Sequence, residues 1–388
     1  MFMKVLMLST DQKIFEYGSA VRERMISYGT IVEELHTVVF TRRNFQFPIS
    51  NFQINSKFQI SKNVWIYPTF TRLKSLYFWD AYKISGRIIR NWELEIRNSR
   101  DKILVTSQDS FETGLVGYLL KKKFDLPLQI QIHTDFLSPY FWRESFKNKL
   151  RVLLAKWLIK RADGLRVVSQ RILSRLNLIY EVQPHKVAVL PILVDIEKIR
   201  TTSVKTDLHK KYPGYDFIIL MTSRLTREKN IGLAIEAVKD LISSRAESRD
   251  YKNILLLIVG EGPGREALKL LITNYQLQNN IVIEPWTDDL ISYYKTADMF
   301  LMTSNYEGYG MASVEAAAAG VPVVMTDVGV ALGATFPVGD KEAAVAIIED
   351  LIRNPLKRQE LIKAQNEFFQ KWPTKEQYLE QFKQSLIF

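Results

Sequence analysis

The chain has 388 residues, of which 47% are hydrophobic and 24% charged, and it contains no cysteine. Its length indicates two or three globular domains, and the absence of cysteine excludes disulfides, zinc thiolate sites and a catalytic thiol, which fits a cytosolic protein. The chain has no apolar run of about 18 residues that would predict a membrane span. The apolar segment at the N-terminus, MFMKVLMLSTDQK, is too short for a secretory signal, and we interpret it as a buried strand.

The net charge of +11 is concentrated in the first half of the chain. Residues 1–200 hold 32 Lys and Arg against 18 Asp and Glu, whereas residues 201–388 hold 21 against 24. The first half is therefore expected to attract an anionic partner, such as a membrane surface, a lipid phosphate, an acidic polymer or nucleic acid.

Strand and helix patterns alternate along the whole chain, which is typical of parallel sheets covered by helices on both faces. Strands are predicted in the first half at Val5–Leu8, Thr37–Phe40, Ile103–Thr106, Leu128–Ile132, Gly164–Val168 and Val187–Leu190. In the second half they are predicted at Phe217–Met221, Ile254–Val259, Ile281–Glu284, Met299–Met302 and Val323–Met325. The pattern lapses between about Leu193 and Tyr215. The fold class predicted is α/β, with two Rossmann-like, doubly wound domains.

Two segments of the first half mix aromatic and basic residues. Tyr140–Arg161 combines apolar residues at helical spacing with eight charges, seven of them basic. An interfacial helix on an anionic membrane fits this pattern, and so does a helix packed on the sheet with a solvated basic face. Together with the stretch Trp65–Trp92, this segment is compatible with peripheral attachment to an anionic membrane and with a lipid-linked or otherwise anionic acceptor.

A basic loop follows the first strand of the second half. The strand ends near Ser223, and Arg224 and Lys229 come directly after it. Two cations at the carboxyl end of a parallel strand suit a diphosphate, because ligands of open α/β sheets bind at that end. The alternative is a solvated basic loop.

The glycine-rich turn Gly260–Gly264 follows a strongly apolar strand and opens a helix at Arg265. A dinucleotide fingerprint is one interpretation, since Glu284 comes 20 residues after Gly264. The spacing is GxGxG rather than GxGxxG, which disfavours a nicotinamide cofactor.

The segment Ser304–Asp327 carries the most specific chemistry. Gly308 and Gly310 allow a tight turn, and a helix is predicted over Ala312–Ala319, so that Glu307 lies on the loop and Glu315 within the helix. The N-terminus of such a helix suits a phosphate, and ionised carboxylates accept hydrogen bonds from the hydroxyls of a sugar and a ribose. The segment therefore favours a sugar nucleotide over an ordinary α/β turn with two solvated glutamates.

In this order, the segments SRLTREKN, VGEGPG, TDDLISYYKTADMFLMTS and EGYGMASVEAAAAGVPVV resemble the C-terminal domain of a GT-B glycosyltransferase of the retaining family 4, whose Glu-x7-Glu motif corresponds to Glu307 and Glu315. The resemblance covers residues 217–329. It implies that Arg224 and Lys229 hold the donor diphosphate, Glu307 the transferred sugar and Glu315 the ribose. It also assigns to the donor site Gly262, Gly308, Tyr309, Gly310 and Met311.

The first half resembles the family at two residues. Gly18 looks like the glycine that lets a helix approach the donor phosphate, and His133 looks like the active-site histidine. The resemblance implies an acceptor-binding domain over residues 1–195 and a donor-binding domain over residues 196–371, facing each other across a cleft. A final helix, N-capped by Thr374, is expected within residues 372–388, which return to the first domain.

These features and the resemblance predict a glycosyltransferase that moves a hexose from a nucleotide sugar, with UDP favoured over GDP, to a lipid-linked, saccharide or other acceptor. Retention of the anomeric configuration is implied by the resemblance alone. The chain contains no Asp-x-Asp sequence, and we expect neither a metal nor a cofactor. Pro191–Asp195 departs from the family's Pro-Asn-Gly-Val-Asp, and Pro285 and Trp286 stand where a glycine is frequent. The expected location is cytoplasmic or on the inner face of the membrane.

Two other functions fit parts of the sequence. An epimerase of similar fold would convert a nucleotide sugar without any acceptor. A non-catalytic protein could use the basic half for binding, although no nucleic-acid-binding motif supports nucleic acid as its partner.

Overall fold

A computed structural model describes residues 3–41, 57–71, 76–96, 103–180, 186–244 and 253–388. The chain divides into two compact units. The first comprises the residues up to Pro191 together with Thr374–Phe388, and the second comprises Ile192–Pro373. Residues 72–75, within the stretch Trp65–Trp92, lie outside the described residues.

The first unit is built on one sheet. Its strands are β1 (Lys4–Ser9), β2 (Glu34–Val39), β3 (Phe58–Ser61), β4 (Val64–Pro68), β5 (Ile103–Ser107), β6 (Leu128–Ile132), β7 (Gly164–Val167) and β8 (Val187–Val189). They lie in the order β3-β4-β2-β1-β5-β6-β7-β8, with β3 antiparallel to β4 and the other neighbours parallel. The order reverses between β1 and β5, and ligands bind at such a switch point in doubly wound sheets.

Helices surround this sheet, which explains why strands such as β1 and β5 are buried along their whole length. They are α1 (Ala20–Gly29), α2 (Tyr77–Ile96), α3 (Glu112–Phe124), α4 (Pro139–Glu144), α5 (Phe146–Ile159) and α6 (Gln170–Ile179).

Strand β2 differs from its prediction, because it begins at Glu34 and not at Thr37. The Glu34 carboxylate accepts hydrogen bonds from Lys4 Nζ and Trp92 Nε1, each at 2.8 Å. These partners allow a charged residue to start a buried strand. Strand β3 was not predicted, because it lies at the sheet edge and none of its residues is buried. Strand β4, which lies between β3 and β2, was not predicted either, although its sequence VWIYP is apolar.

The second unit has its own sheet, whose strands are parallel throughout the described part. They are β9 (Phe217–Thr222), β10 (Ile254–Val259), β11 (Ile281–Glu284), β12 (Met299–Met302), β13 (Val323–Thr326) and β14 (Ala334–Phe336), in the order β11-β10-β9-β12-β13-β14. The switch point lies between β9 and β12. Strand β14, three residues long at the sheet edge, was not predicted.

The helices of the second unit are α7 (Ile196–Thr201), α8 (Leu208–Lys211), α9 (Ile231–Ser244), α10 (Arg265–Asn274), α11 (Leu290–Thr296), α12 (Met311–Ala318), α13 (Lys341–Arg353) and α14 (Pro355–Phe369). The core lies between β9, β10 and β12 and the apolar faces of α9 and α13. Among the described residues, no helix is long and apolar enough to span a bilayer.

The last helix, α15 (Lys375–Ser385), belongs to the first unit. Thr374 caps it in a capping box with Gln377, which confirms the predicted N-cap. The Phe382 ring stacks on Tyr28 with centroids 3.8 Å apart, and the Tyr378 hydroxyl lies 3.1 Å from that of Tyr28. The final helix is therefore an integral part of the first unit.

Candidate functional site

The site predicted in the second unit is centred on Lys229 and Glu307. Strands β9 and β12 are parallel neighbours, so the loops at their carboxyl ends lie side by side. Lys229 Nζ lies 2.5 Å from Glu307 Oε1, and the two side chains are only 16% and 14% exposed. Ser304 Oγ donates to the same carboxylate oxygen at 2.8 Å. The structure thus brings together the predicted cation and the predicted sugar-binding carboxylate.

Local backbone geometry explains this placement. Lys229 ends a short 3-10 helix, and Asn230 adopts a left-handed conformation with φ of 45°. Thr303 Oγ1, just after β12, donates to the carbonyls of Lys229 and Asn230 at 3.0 and 2.9 Å. These bonds fasten the basic loop to the loop that carries Glu307.

Arg224 lies on the same basic loop but in a different environment. Its side chain is 76% exposed, and its Nη2 lies 3.1 Å from Glu228 Oε1. Thr226 Oγ1 donates to the same Glu228 oxygen at 2.6 Å. Most of the Arg224 guanidinium therefore remains in solvent, where a diphosphate can reach it.

The glycine-rich turn supports the basic loop. A Cβ at Gly262 would lie 2.6 Å from the Leu225 carbonyl oxygen, and one at Gly260, where φ is +157°, would lie 1.9 Å from that of Ser223. The Gly264 N–H donates to the Leu225 carbonyl at 2.9 Å. Gly260 and Gly262 are thus required for close backbone packing behind Arg224. Contact of Gly262 with a donor stays a prediction.

Glu284, which a dinucleotide site would use for the ribose, is occupied by other groups. Its carboxylate lies 2.5 Å from Lys211 Nζ and accepts hydrogen bonds from the hydroxyls of Tyr293, at 2.8 Å, and Tyr212. Although burial acts to raise it, these hydrogen bonds leave the pKa of Glu284 below its ordinary value. This geometry offers no support for a dinucleotide site.

Helix α12 begins at the mouth of the same site. Gly310 is its N-cap with φ of +89°, a conformation that favours glycine. The helix covers Met311–Ala318, one residue earlier than predicted, because this left-handed residue directly starts it. The first backbone N–H groups and the positive end of the helix dipole therefore lie next to Gly308 and Tyr309.

Gly329 holds this loop from behind, a role that sequence reasoning missed. Its φ is +59°, and a Cβ there would lie 2.5 Å from the Tyr309 carbonyl oxygen. The neighbouring Val330 N–H donates to that oxygen at 2.9 Å. Such a contact between distant segments leaves no local pattern in the sequence beyond the glycine itself.

Glu315 lies within α12 between the buried residues Val314 and Ala316. Tyr294 OH lies 3.3 Å from Glu315 Oε2 and 2.7 Å from Thr222 Oγ1. Burial raises the pKa of Glu315 to about 6, against the smaller opposing effect of the Tyr294 hydrogen bond. The carboxylate is only weakly compensated, so new hydrogen-bond donors would stabilise its ionised form.

Two predicted residues lie in the first unit. His133 follows β6, and its Nε2 lies 3.0 Å from Gln131 Oε1. Burial, followed by the charges of Arg166 and Arg24, lowers the pKa of His133 to about 3, so this imidazole is neutral at physiological pH. Gly18 precedes α1 with φ of +74°, and a Cβ there would meet nothing within 4 Å.

Asp195, whose role the sequence left open, caps α7. Its Oδ1 accepts a hydrogen bond from the Lys198 N–H at 2.9 Å. Among all the described residues, no group of three or more His, Asp or Glu side chains is arranged to hold a metal ion.

Two family models match the chain. "Glycosyltransferase Family 4" matches residues 38–198, and "Glycosyl transferases group 1" matches residues 205–368. The galactosyltransferase of Escherichia coli named for UDP-Gal and GlcNAc-diphosphoundecaprenol is 26% identical over 247 residues, which are 59% of each chain. The alpha-monoglucosyldiacylglycerol synthase of Streptococcus pneumoniae is 24% identical over 283 residues, 68% of this chain and 62% of the relative. The chain thus spans less than two thirds of the length of these curated relatives.

Solved structures share the fold over nearly the whole chain. The Anabaena HepE protein in complex with UDP matches with a TM-score of 0.70 and 18% identity, covering 99% of both chains. Sucrose-phosphate synthase from Thermosynechococcus elongatus matches with a TM-score of 0.75 and 18% identity, covering 98% of this chain and 97% of the other.

Two doubly wound sheets, with a cation and a carboxylate paired at the switch point of the second, define a protein of the GT-B class. The chain belongs to the family 4 glycosyltransferases, as the resemblance predicted.

Proposed function

We propose that this protein transfers a hexose from a UDP-sugar to a lipid-linked or saccharide acceptor, with retention of configuration and without a metal ion. The contact between Lys229 Nζ and Glu307 Oε1, beside the start of α12, carries the proposal. A bound diphosphate would form an ion pair with the Lys229 ammonium, which pairs with Glu307 in this structure. Glu307 would then accept hydrogen bonds from the hydroxyls of the transferred sugar.

UDP is favoured over GDP by the proteins that the chain resembles. The Escherichia coli relative is named for UDP-Gal, and the Anabaena protein of similar fold was solved with UDP and with UDP-glucose. The acceptors named for the curated relatives include a diphosphoundecaprenol-linked sugar and a glycolipid, which supports an acceptor of lipid-linked or saccharide type.

The proposed reaction breaks the bond between the sugar C1 and the β-phosphate oxygen and forms a bond between C1 and an acceptor hydroxyl oxygen. The departing diphosphate takes the proton of that hydroxyl on the face from which it leaves, so configuration is retained and atoms balance. Negative charge develops on the diphosphate, where Arg224, Lys229 and the N-terminus of α12 would stabilise it. Because the imidazole of His133 is neutral, it would act on a bound substrate through a hydrogen bond rather than through a charge.

The raised pKa of Glu315 predicts pH-dependent donor binding, which tests the proposed function. Ribose hydroxyls would hydrogen-bond the ionised carboxylate and lower its pKa from about 6. Affinity for UDP-glucose should therefore rise between pH 5 and pH 7 and then level off. Glu315→Gln should weaken binding by about 10- to 100-fold at pH 7 and remove this rise.

Titration calorimetry in EDTA, with UDP-glucose and GDP-mannose, makes the measurement. Both sugar nucleotides are diphosphate diesters and do not titrate in this range. Buffers of different ionisation enthalpy should reveal proton release below pH 7 with the wild type only. Folded protein that binds neither donor, or binds equally well after Glu315→Gln, would contradict the proposal.

We also propose that the first unit docks on an anionic membrane through an apolar stripe of α5. Phe146, Leu150, Leu153 and Trp157 recur at helical spacing on the outer face, each between 39% and 75% exposed. The helix packs inward through other residues, namely Val152, Ala155, Leu158 and Ile159. The outer face is thus apolar as well as basic, unlike the solvated basic face that a purely packed helix predicts.

Cations and further aromatic rings surround this stripe. Lys147, Lys149, Lys160 and Arg161 are exposed beside it. The Trp157 ring contacts Tyr118 of α3 edge to face at 4.7 Å, and α3 packs in turn against α2, where Trp79 is exposed. Positive charge around an apolar stripe is complementary to an anionic lipid surface.

Vesicle sedimentation tests this surface. The protein should bind vesicles containing phosphatidylglycerol more tightly than pure phosphatidylcholine vesicles, and salt should weaken binding. The double change Leu150→Ser and Leu153→Ser should lower partitioning by about 10-fold or more, because each leucine contributes apolar burial of about 1 kcal/mol or more. The same change at the exposed Leu270 and Leu356 of the second unit is the control. Equal binding by the two double variants would rule out this face.

A further inference from the structure

A chain of buried polar side chains connects His133 to the last helix. Gln129 and Gln131 are alternate residues of β6 and therefore lie on one face of the sheet, and His133 directly follows the strand. The strand register places Thr106 of β5 beside Gln129, and Arg166 of β7 beside Gln131. These four neighbours of His133 are at most 2% exposed.

The hydrogen bonds between these buried side chains form one continuous series. Gln131 Nε2 donates to Thr106 Oγ1 at 3.0 Å, and Thr106 Oγ1 donates to Gln129 Oε1 at 3.0 Å. Gln129 Nε2 then donates to the carbonyl of Ser385, in the last turn of α15.

Arg166 determines the other end of the series. Its Nη1 donates to Gln131 Oε1 at 2.9 Å, and its Nη2 donates to Tyr378 OH at 2.9 Å and to the Pro191 carbonyl at 3.1 Å. Within the described residues, the acceptors found for this buried guanidinium are an amide oxygen, a hydroxyl and backbone carbonyls rather than a carboxylate. A buried charge without a counter-ion is costly, and these hydrogen bonds, together with the Phe382 ring whose centroid lies 5.1 Å from Arg166 Cζ, offset that cost.

The chemistry of the two ends leaves a single arrangement. An arginine only donates and a carbonyl only accepts, so Gln131 must turn its oxygen toward Arg166, and Gln129 must turn its nitrogen toward Ser385. Because the Gln131 oxygen also faces His133 Nε2, that nitrogen must carry the imidazole proton. His133 Nδ1 is then left as a hydrogen-bond acceptor.

We propose that Arg166 and Gln131 are positioning residues that, together with the last helix, hold His133 as the neutral Nε2–H tautomer. In this tautomer, His133 presents its Nδ1 as a hydrogen-bond acceptor. The role of His133 in sugar transfer rests on the proposed function, whereas the tautomer does not. The positive charges acting on His133 are Arg166 and Arg24, and both disfavour protonation of its ring.

Nitrogen NMR of the 388-residue chain labelled with 15N-histidine tests the proposal without any substrate. The chain has four histidines, His36, His133, His185 and His209, and His133→Asn assigns the signal. In the wild type, we expect a proton on Nε2 and no titration of His133 between pH 5 and pH 8. A proton on Nδ1, or a midpoint within that range, would overturn the proposal.

Two substitutions separate the tautomer from the charge. Arg166→Met removes the donor that orients Gln131, so the Nδ1–H form should become populated and the pKa of His133 should rise. Gln131→Glu keeps an acceptor facing Nε2 and gives Arg166 a counter-ion, so the tautomer should persist while the pKa rises. Arg161→Met, an exposed site outside the network, should change neither. An unchanged spectrum in Arg166→Met, or a changed tautomer in Gln131→Glu, would refute this assignment.

A kinetic measurement then links the network to the reaction. In Arg166→Met, kcat should fall on the acid side, because His133 becomes protonated there, whereas wild-type kcat should show no such limb. If the wild-type protein showed no sugar transfer, the proposed function would be wrong, but the tautomer established by NMR would still be valid.

Discussion

Replacing Lys229 by methionine is expected to lower kcat/KM for sugar transfer by about 100- to 1,000-fold, the loss typical of removing one group that stabilises a developing negative charge. Methionine keeps the unbranched apolar stem and removes only the ammonium. The departing diphosphate then loses a cation that lies ready at the carboxyl end of β9.

The substitution also leaves Glu307 without its ion-pair partner. Glu307 Oε1 contacts Lys229 Nζ and accepts a hydrogen bond from Ser304 Oγ, and only the second of these two contacts would remain. The double variant Lys229→Met, Glu307→Gln should therefore lose less activity than the two single losses combined, since the residues act as one unit.

Lys239→Met is the matched control. This lysine of α9 lies over the ring of Tyr275, with Nζ 4.3 Å from the centroid, and belongs to the same unit. Its loss should leave kcat/KM unchanged. If Lys229→Met retained activity within a few-fold of the wild type, the proposed diphosphate site would be wrong.

Replacing Gly329 by alanine is expected to destabilise the second unit by about 2–4 kcal/mol and to weaken donor binding by at least about 10-fold. The new Cβ would lie 2.5 Å from the Tyr309 carbonyl oxygen and 3.1 Å from Glu307 Cβ. Because backbone atoms cannot move aside as a flexible side chain can, the loop carrying Glu307 must shift.

Gly339→Ala separates this clash from backbone strain. Gly339 has a similar positive φ of +83°, but nothing lies within 4 Å of a Cβ there. This control should lose only the 1–2 kcal/mol or so of a left-handed alanine and keep its donor affinity. Thermal unfolding and donor titration make the comparison. Equal effects of the two substitutions would contradict the role assigned to Gly329.

Local sequence patterns predict much of this fold because most strands are buried on both faces. β6, β10, β11 and β12 have the predicted bounds. In β10, β11 and β12 an apolar run ends where a polar loop begins, whereas in β6 apolar residues alternate with Gln129 and Gln131. Edge strands β3 and β14 lack such runs and could not be recognised in the same way, whereas β4 has the apolar run VWIYP and was overlooked.

The donor site was predictable where chemistry and spacing coincide. The loop containing Glu307 and the basic loop containing Lys229 follow strands that are neighbours in the sheet, so a topological rule brings them together. The sequence could not show that Glu284 is already held by Lys211 and two tyrosines, because those contacts join distant segments.

Contacts between distant segments also explain the other omissions. The glutamines of LQIQIH and the arginine of GLRVV follow strand alternation, yet nothing local shows that α15 buries them as one network. The helical spacing in Tyr140–Arg161 predicted α5, but only the packed structure distinguishes its outer stripe from its inner one.

Product analysis with labelled UDP-hexoses, with and without an added lipid-linked or saccharide acceptor, tests the central claim most directly. We predict labelled sugar on the acceptor, in the anomeric configuration of the donor, in the presence of EDTA and not after Lys229→Met. Conversion of the donor to an isomer without acceptor would indicate an epimerase. The account would be contradicted if the folded protein neither bound nor turned over any UDP- or GDP-sugar. That result would favour a non-catalytic binding protein.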